Sequence, residues 1–586
     1  MRSFLKYFLA CLAALVVFSG LALLVLVGIA GRLVSRDISV VPSRSVLVVD
    51  LSRHFRDLKE ENLLLELSGD EEDQVPSLAQ LIRVIEDARG DSSIRGIYLV
   101  ANENRNGFAA SEEIRQALAQ FKKSGKFIIA YGDYVMQKSY HVATVASRVY
   151  ANPKGMVDWR GFSVEYLYFK NLLAKLEVEP QIFYDGRFKS ATEPFREERM
   201  TDANRIQTEA WLGGMYRGFL SAAAAARGLD TASLHRYANE YAVRTPEDAV
   251  RLKLIDGVKY DDEVKAELKQ RVGIAEDDKI SFVTPGSYIA SGKLYRKPAR
   301  DRIALVIAEG EIIYGGDQEG VITSDAYRDM LRKIRYNDEI KAVVLRVNSP
   351  GGSSLASEII WREIALLRKA GKPVIVSMGD VAASGGYYIA CNADSIFALP
   401  NTLTGSIGVF SIVPNMQSFM KNKLGITFDR VKTATYADAL TVTRPLTVAE
   451  KAIIQNEVDR IYADFKNRVA EGRKMAPAVV DSIAQGRVWT GEDALRLKLV
   501  DAMGGLDRAI QSAAAMAKLE DYSIREYPDP KTPLEMIFGS FGRQYQSRAL
   551  RAELGDETYK TYLQVQRIRE QAGTIQARWP YDLRID

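Results

Sequence analysis

The chain contains one long internal repeat, and this repeat constrains its fold more than any other feature. Residues 140–153 align with residues 387–400 at a constant offset of 247. Residues 251–256 return as residues 496–501 at an offset of 245. Solenoid units are far shorter, roughly 20 to 50 residues, so a period of this length is that of a whole domain. The sequence therefore predicts two tandem copies of one domain.

Each copy alternates short apolar runs with amphipathic segments. Residues 45–50, 94–100 and 127–131 are predicted strands, and residues 111–124 are a predicted helix with its apolar positions on one face. The second copy restarts with an apolar run at residue 303. Strand–helix–strand alternation is typical of a largely parallel sheet with helices packed on it, so the fold class is predicted to be α/β.

The N-terminus carries a candidate membrane anchor. Residues 7–31 contain no charged residue and are mostly apolar, which is long enough for one transmembrane helix. A cleaved signal peptide has a shorter apolar core, so a retained anchor is favoured, although residues 28–30 are compatible with cleavage. Basic residues flank both ends, and the free amino terminus favours large domains outside the cytoplasm.

These features divide the chain into four predicted parts. They are an anchor (1–36), a first domain (37–285), a second domain (286–520) and a C-terminal extension (521–586). In the extension, residues 544–571 have helical periodicity and suggest a packing or assembly element.

Composition excludes several function classes. The net charge is only +4, without a concentrated basic stripe, which argues against a nucleic-acid partner. Two cysteines cannot form a disulfide framework, and three histidines without a ligand cluster do not predict a metal site. Neither Gly-x-Gly-x-x-Gly nor the Walker pattern occurs, so no nucleotide cofactor is expected.

The two copies differ at residues that suit hydrolytic chemistry. Ser406 lies between Gly405 and Gly408, and flanking residues with almost no side chain leave its hydroxyl open to a carbonyl carbon. Its counterpart in the first copy is Trp159, whereas Lys189 in the first copy has no lysine counterpart in the second. Complementary losses of this kind predict one composite site shared by the two copies.

A lysine can activate a serine only when it is neutral. Its pKa must fall from about 10.4 to roughly 7–8, which burial among apolar groups can achieve. Aromatic residues at 183, 184, 188 and 195 favour such burial of Lys189, which we interpret as the general base with Ser406 as the nucleophile.

A glycine turn supplies candidate anion donors. Gly351 and Gly352 follow a predicted strand and precede a predicted helix, where free N–H groups can hold an oxyanion or a phosphate.

Other residues compete for the two catalytic roles. Ser384, in the run Ala383-Ser384-Gly385-Gly386, is an alternative nucleophile at a position resembling that of Clp proteases. A helix start whose small residues permit close packing also explains this run, and Ser406 is favoured over Ser384. The histidines (His54, His141 and His235) are alternative bases, but His141 is predicted to be a packed core residue.

The chain resembles the signal peptide peptidase A family of the long, tandem-domain type. The resemblance covers nearly the whole chain and includes the anchor and residues 189–195, 349–352, 383–387 and 404–408. It implies a Clp/crotonase-like fold in each half and a Ser406/Lys189 dyad. It further implies an oxyanion hole formed by the Gly351-Gly352 turn and the Ser406 N–H.

The same resemblance carries expectations about biology. Similar proteins are single-pass proteins of the bacterial inner membrane whose catalytic domains face the periplasm as a bowl-shaped homotetramer. They degrade cleaved signal peptides and other apolar peptides, which suits a site held beside the lipid bilayer. A non-catalytic peptide-binding scaffold and a crotonase-type acyl-CoA enzyme are the alternative functions.

Overall fold

The computed structural model describes residues 4, 6–8, 10, 12–21, 40–59, 74–294, 299–316, 318, 320–529 and 575–578. Among these residues, no helix has both the length and the apolar character needed to cross a membrane. Residues 22–31 of the predicted anchor and the predicted helical segment 544–571 lie outside the described residues.

The first half of the chain contains the strands β1 (Ser45–Asp50), β2 (Ile94–Val100), β3 (Phe127–Val135), β4 (Arg148–Val157), β5 (Glu179–Asp185), β6 (Gly257–Val258) and β7 (Phe282–Val283). Its helices are α1 (Leu78–Gly90), α2 (Phe108–Lys122), α3 (Gln137–Ala143), α4 (Lys170–Lys175), α5 (Glu193–Arg196), α6 (Asp202–Arg227), α7 (Thr231–Asn239), α8 (Pro246–Arg251), α9 (Asp261–Val272) and α10 (Pro285–Ala290).

The second half contains the strands β8 (Arg302–Glu309), β9 (Ile312–Ile313), β10 (Ile322–Thr323), β11 (Ile340–Ser349), β12 (Gly351–Ser353), β13 (Val374–Ala383), β14 (Ser395–Ala398), β15 (Leu403–Gly405), β16 (Val409–Asn415), β17 (Val488–Thr490), β18 (Ala502–Met503), β19 (Ser523–Tyr527) and β20 (Ile575–Arg578). Its helices are α11 (Ser324–Tyr336), α12 (Ser354–Lys369), α13 (Gly385–Ala390), α14 (Gln417–Leu424), α15 (Val448–Arg473), α16 (Pro477–Ile483), α17 (Gly491–Arg496) and α18 (Leu506–Met516).

Each half is built on its own sheet. The first sheet has the order β6-β4-β3-β2-β1-β7 and only parallel pairs. The second-half sheet has the order β17-β15-β13-β11-β8-β19, and β14 and β18 branch from β13. Its central strands are apolar nearly throughout because helices cover both faces of a parallel sheet. The predicted α/β class is confirmed.

A third, mixed sheet joins the two halves. Its order is β10-β9-β12-β20-β16-β5. Strand β5 leaves the first half and pairs antiparallel with β16 along its whole length. Strand β20, from the predicted C-terminal extension, lies between β12 and β16. This sheet brings three distant parts of the chain to one place.

A buried ion network holds the halves together near this sheet. Arg346 on β11 is fully buried and donates from Nε to Asp57 at 2.8 Å and from Nη1 to Glu113 at 2.6 Å. Asp380 on β13 accepts the amide of Ala109 at 2.8 Å, at the start of α2. Because each buried charge has partners in the other half, the network fixes the relative placement of the halves.

Candidate active site

The crossing strand delivers Lys189 to the second half. Lys189 follows β5, and its amide donates to the carbonyl of Gly186 at 3.0 Å. The neighbouring Phe188 amide donates to the carbonyl of Gln485 at 2.7 Å. Gly486 has φ +73°, and a Cβ there would lie 2.7 Å from the backbone of Lys189. The loop around Gly486 therefore packs directly on the Lys189 backbone.

The Lys189 side chain is almost wholly removed from water. The residue is 2% exposed, and burial lowers its pKa well below the usual 10.5. Its Nζ lies 2.9 Å from Ser384 Oγ, 3.1 Å from Ser406 Oγ and 3.2 Å from the Ser406 carbonyl oxygen. A neutral amine in this position can accept a proton from either hydroxyl.

Ser406 lies in the turn between β15 and β16. It is 2% exposed and has a positive φ of 49°. Its amide donates to the carbonyl of Arg487 at 2.7 Å, so this N–H already has an acceptor. The expectation that the Ser406 N–H belongs to the oxyanion hole is therefore wrong.

Ser384 lies between β13 and the first turn of α13 in a strained backbone conformation. Its φ is 55° and its ψ is −115°, a combination that glycine adopts but other residues avoid. Its amide donates to the carbonyl of Gly405 at 2.7 Å, which helps to hold this conformation. Strain at a sharp strand-to-helix turn is the geometry by which hydrolases present a nucleophilic serine.

The predicted glycine turn lies beside Ser384. A Cβ on Gly351 would lie 2.6 Å from the amide nitrogen of Gly385, and a Cβ on Gly385 would lie 3.1 Å from that of Gly352. The two backbone segments touch because neither carries a side chain. The Gly351 amide donates to Ser349 Oγ at 3.2 Å. Gly352 and Gly385 are therefore the candidate oxyanion donors.

The structure thus brings Lys189, Ser406, Ser384 and the glycine turn together. His141 lies elsewhere, buried in the first half against Phe219, with Nε2 at 2.9 Å from Glu112 Oε2. The sequence analysis ranked Ser384 second to Ser406. At the repeat offset of 247 its counterpart is Gln137, whose side-chain amide bonds both backbone groups of Gly161 in the first half. This second asymmetry between the copies was the available signal.

Known proteins resemble the chain over most of its length. The family model for peptidase family S49 matches residues 120–275 and 366–520. A protein named Protease 4 from Salmonella typhi is 35% identical over 513 residues, covering 85% of this chain and 82% of the relative. Protease 4 from Haemophilus influenzae is 34% identical, covering 89% and 88%. A chloroplastic serine protease SPPA from Arabidopsis thaliana is 33% identical, covering 80% and 70%.

Proposed function

This chain belongs to peptidase family S49 and is a serine protease, and we propose that it is a membrane-anchored endopeptidase working with a serine/lysine dyad. The observation that carries the proposal is the position of Lys189 Nζ, buried and within 3.1 Å of two serine hydroxyls. The family assignment disfavours the scaffold and acyl-CoA alternatives.

The proposed mechanism follows from this geometry. Neutral Lys189 accepts the serine proton while Oγ attacks the peptide carbonyl carbon. The Gly352 and Gly385 amides donate to the oxyanion, and Lys189 then gives the proton to the departing amine. Water, deprotonated by Lys189, hydrolyses the acyl-enzyme and regenerates the serine.

The geometry favours Ser384 over the predicted Ser406 as the nucleophile. Both Oγ atoms are within hydrogen-bond reach of Lys189 Nζ, at 2.9 Å for Ser384 and 3.1 Å for Ser406, so the backbone around each serine decides between them. The strained backbone of Ser384 places it directly before Gly385, whose amide lies beside that of Gly352, so Ser384 adjoins both candidate oxyanion donors. In this assignment, Ser406 orients the lysine through its hydroxyl and carbonyl oxygens.

Substrate, location and assembly extend the same proposal. The family resemblance supports cleaved signal peptides and other apolar peptides as substrates. The apolar segment 7–31 supports anchoring in the bacterial inner membrane with the catalytic halves in the periplasm. A Clp/crotonase-like fold in each half and a homotetramer complete the proposal.

Mapping the acylated residue tests the dyad. A serine-reactive lactone is added to wild type and to the Lys189→Ala, Ser384→Ala and Ser406→Ala variants, and labelled peptides are identified by mass spectrometry. We expect label on Ser384, lost in Lys189→Ala and slowed about 10- to 100-fold in Ser406→Ala. Label on Ser406 would restore the assignment from sequence. Folded wild type without label or peptide turnover would contradict the dyad.

A further inference from the structure

Strand β20 fills a slot beside the candidate catalytic serines. Its residues Gln576 and Ala577 are 5% and 0% exposed. Along one edge Ala577 pairs antiparallel with Gly352, and along the other Gln576 pairs antiparallel with Phe410 on β16. The segment therefore runs between the glycine turn and the strand that begins just after Ser406.

The backbone of Ala577 enters the space around the candidate oxyanion donors. A Cβ on Gly385 would lie 3.0 Å from the Ala577 carbonyl oxygen and 3.1 Å from the Gly352 amide nitrogen. A Cβ on Gly351 would collide with the same carbonyl oxygen. A peptide carbonyl awaiting attack by Ser384 would have to occupy this position.

The slot recognises backbone more than side chains. Without β20, both β12 and β16 would present an open edge to an extended chain, and an antiparallel peptide could bond to both. A small side chain suits the central position, since Ala577 is completely buried there.

We propose that residues 575–578 are an internal pseudosubstrate that occupies the peptide-binding slot and must leave before a substrate strand can enter. This inference rests on the proposed function, because it identifies the slot by its position beside the dyad.

The side-chain contacts of β20 are compatible with a segment that can leave the slot. Ser354 Oγ donates to the Ile575 carbonyl at 3.1 Å, and Arg578 pairs with Glu311 at 3.3 Å. The strand itself is four residues long. A longer substrate strand that bonds the same two edges can compete with this four-residue strand for them.

Ejecting the strand tests the proposal. In the full chain, Ala577→Glu places a charge at a completely buried position, and Ala515→Glu makes the same change at an exposed position of α18. We expect Ala577→Glu to raise both lactone labelling and kcat/KM on a short peptide ester at least fivefold, with Ala515→Glu unchanged. Equal or lower values for Ala577→Glu would overturn the proposal.

Peptide binding gives a readout that does not depend on catalysis. A fluorescein-labelled peptide with the sequence of residues 571–582 is titrated into each variant and followed by polarisation. We expect at least tenfold tighter binding to Ala577→Glu than to wild type, because the slot is vacant. Wild type that neither turns over peptides nor takes label would defeat the proposed function, whereas equal peptide affinities would defeat the pseudosubstrate.

A reversible lock provides the converse test. Ser411 and Ile575 are direct cross-strand partners, so Ser411→Cys with Ile575→Cys places two thiols across the β16–β20 pair. Once mass spectrometry shows the disulfide, we expect oxidation to lower peptide turnover at least tenfold and dithiothreitol to restore it. The single-cysteine variants are the controls. Full turnover by the locked chain would refute the pseudosubstrate.

Discussion

At the scale of single residues, the protonation state of Lys189 controls the chemistry. Burial lowers its pKa well below 10.5, and only the neutral amine can accept the serine proton. We therefore expect kcat/KM to rise with pH through the lowered pKa and then to reach a plateau. Lys189→Arg, which stays charged, should lose at least about a thousandfold at every pH. A pH profile of peptide ester hydrolysis checks this, and a rise in kcat/KM with its midpoint at or above the usual pKa of 10.5 would contradict it.

The same lowered pKa links stability to pH. Between the folded-state pKa of Lys189 and the usual 10.5, the unfolded chain binds more protons than the folded chain. The free energy of unfolding therefore gains a component that increases with pH across this window. Urea unfolding at several pH values should show this component in wild type and not in Lys189→Met.

The strained backbone of Ser384 makes a separate prediction. Holding a non-glycine residue at φ 55° and ψ −115° costs about 1–3 kcal/mol, and glycine removes that cost. Ser384→Gly should raise the free energy of unfolding by about 1 kcal/mol and abolish turnover. Lys474→Gly, at φ 52° in the C-cap of α15, is the matched control and should keep its activity. Urea unfolding that finds Ser384→Gly less stable than wild type would contradict the strain argument.

The sequence carried a clearer signal for the lysine than for the serine. Lys189 stood out because its repeat partner was missing, and the structure places it against two serines from the other half. Glycine neighbours made Ser406 look open, but backbone strain and the Ser406–Arg487 hydrogen bond depend on tertiary packing. No local pattern carries that information.

At the scale of elements, Gly486 sets the position of Lys189. Both Gly486 and Gly273 have φ +73°, so the backbone conformation alone should cost alanine about 1 kcal/mol at either site. Only at Gly486 would the new Cβ press on the Lys189 backbone, at 2.7 Å, whereas Gly273 has open space. We expect Gly486→Ala to slow lactone labelling at least tenfold and Gly273→Ala to leave it unchanged. Equal rates in the two variants would show that this contact does not position the lysine.

Strand existence was predictable, but strand partners were not. The apolar runs at 45–50 and 94–100 form β1 and β2 with the predicted bounds. Periodicity could not show that β5 leaves its own half for β16, since pairing across 230 residues is decided by tertiary packing. Likewise, no strand was predicted in the C-terminal extension, yet it contributes β19 and β20 to two sheets.

At the scale of the whole molecule, the β5–β16 pairing has a counterpart that the repeat predicts but that does not form within one molecule. Adding the offset of 247 to β5 gives residues 426–432, and subtracting it from β16 gives residues 162–168. Neither segment is assigned to a strand or helix, and Val431 is 100% exposed. Residues 163–168 alternate between exposed and half-buried, as a strand with one covered face would.

Two molecules of the protein can form this counterpart pairing with each other. Residues 426–432 of one molecule would bond to residues 162–168 of the next molecule. This head-to-tail contact would repeat the β5–β16 pairing between molecules. A head-to-tail contact closes into a ring when its rotation allows, which suits the proposed homotetramer. Val431→Glu should therefore shift the assembly towards monomers because it places a charge in the shared sheet. Val448→Glu is the control and should not change the assembly, since Val448 is an 86% exposed valine outside the segment. Native mass spectrometry of the detergent-solubilised chain measures both. If Val431→Glu had the same assembly mass as wild type, this pairing would not be the contact between molecules.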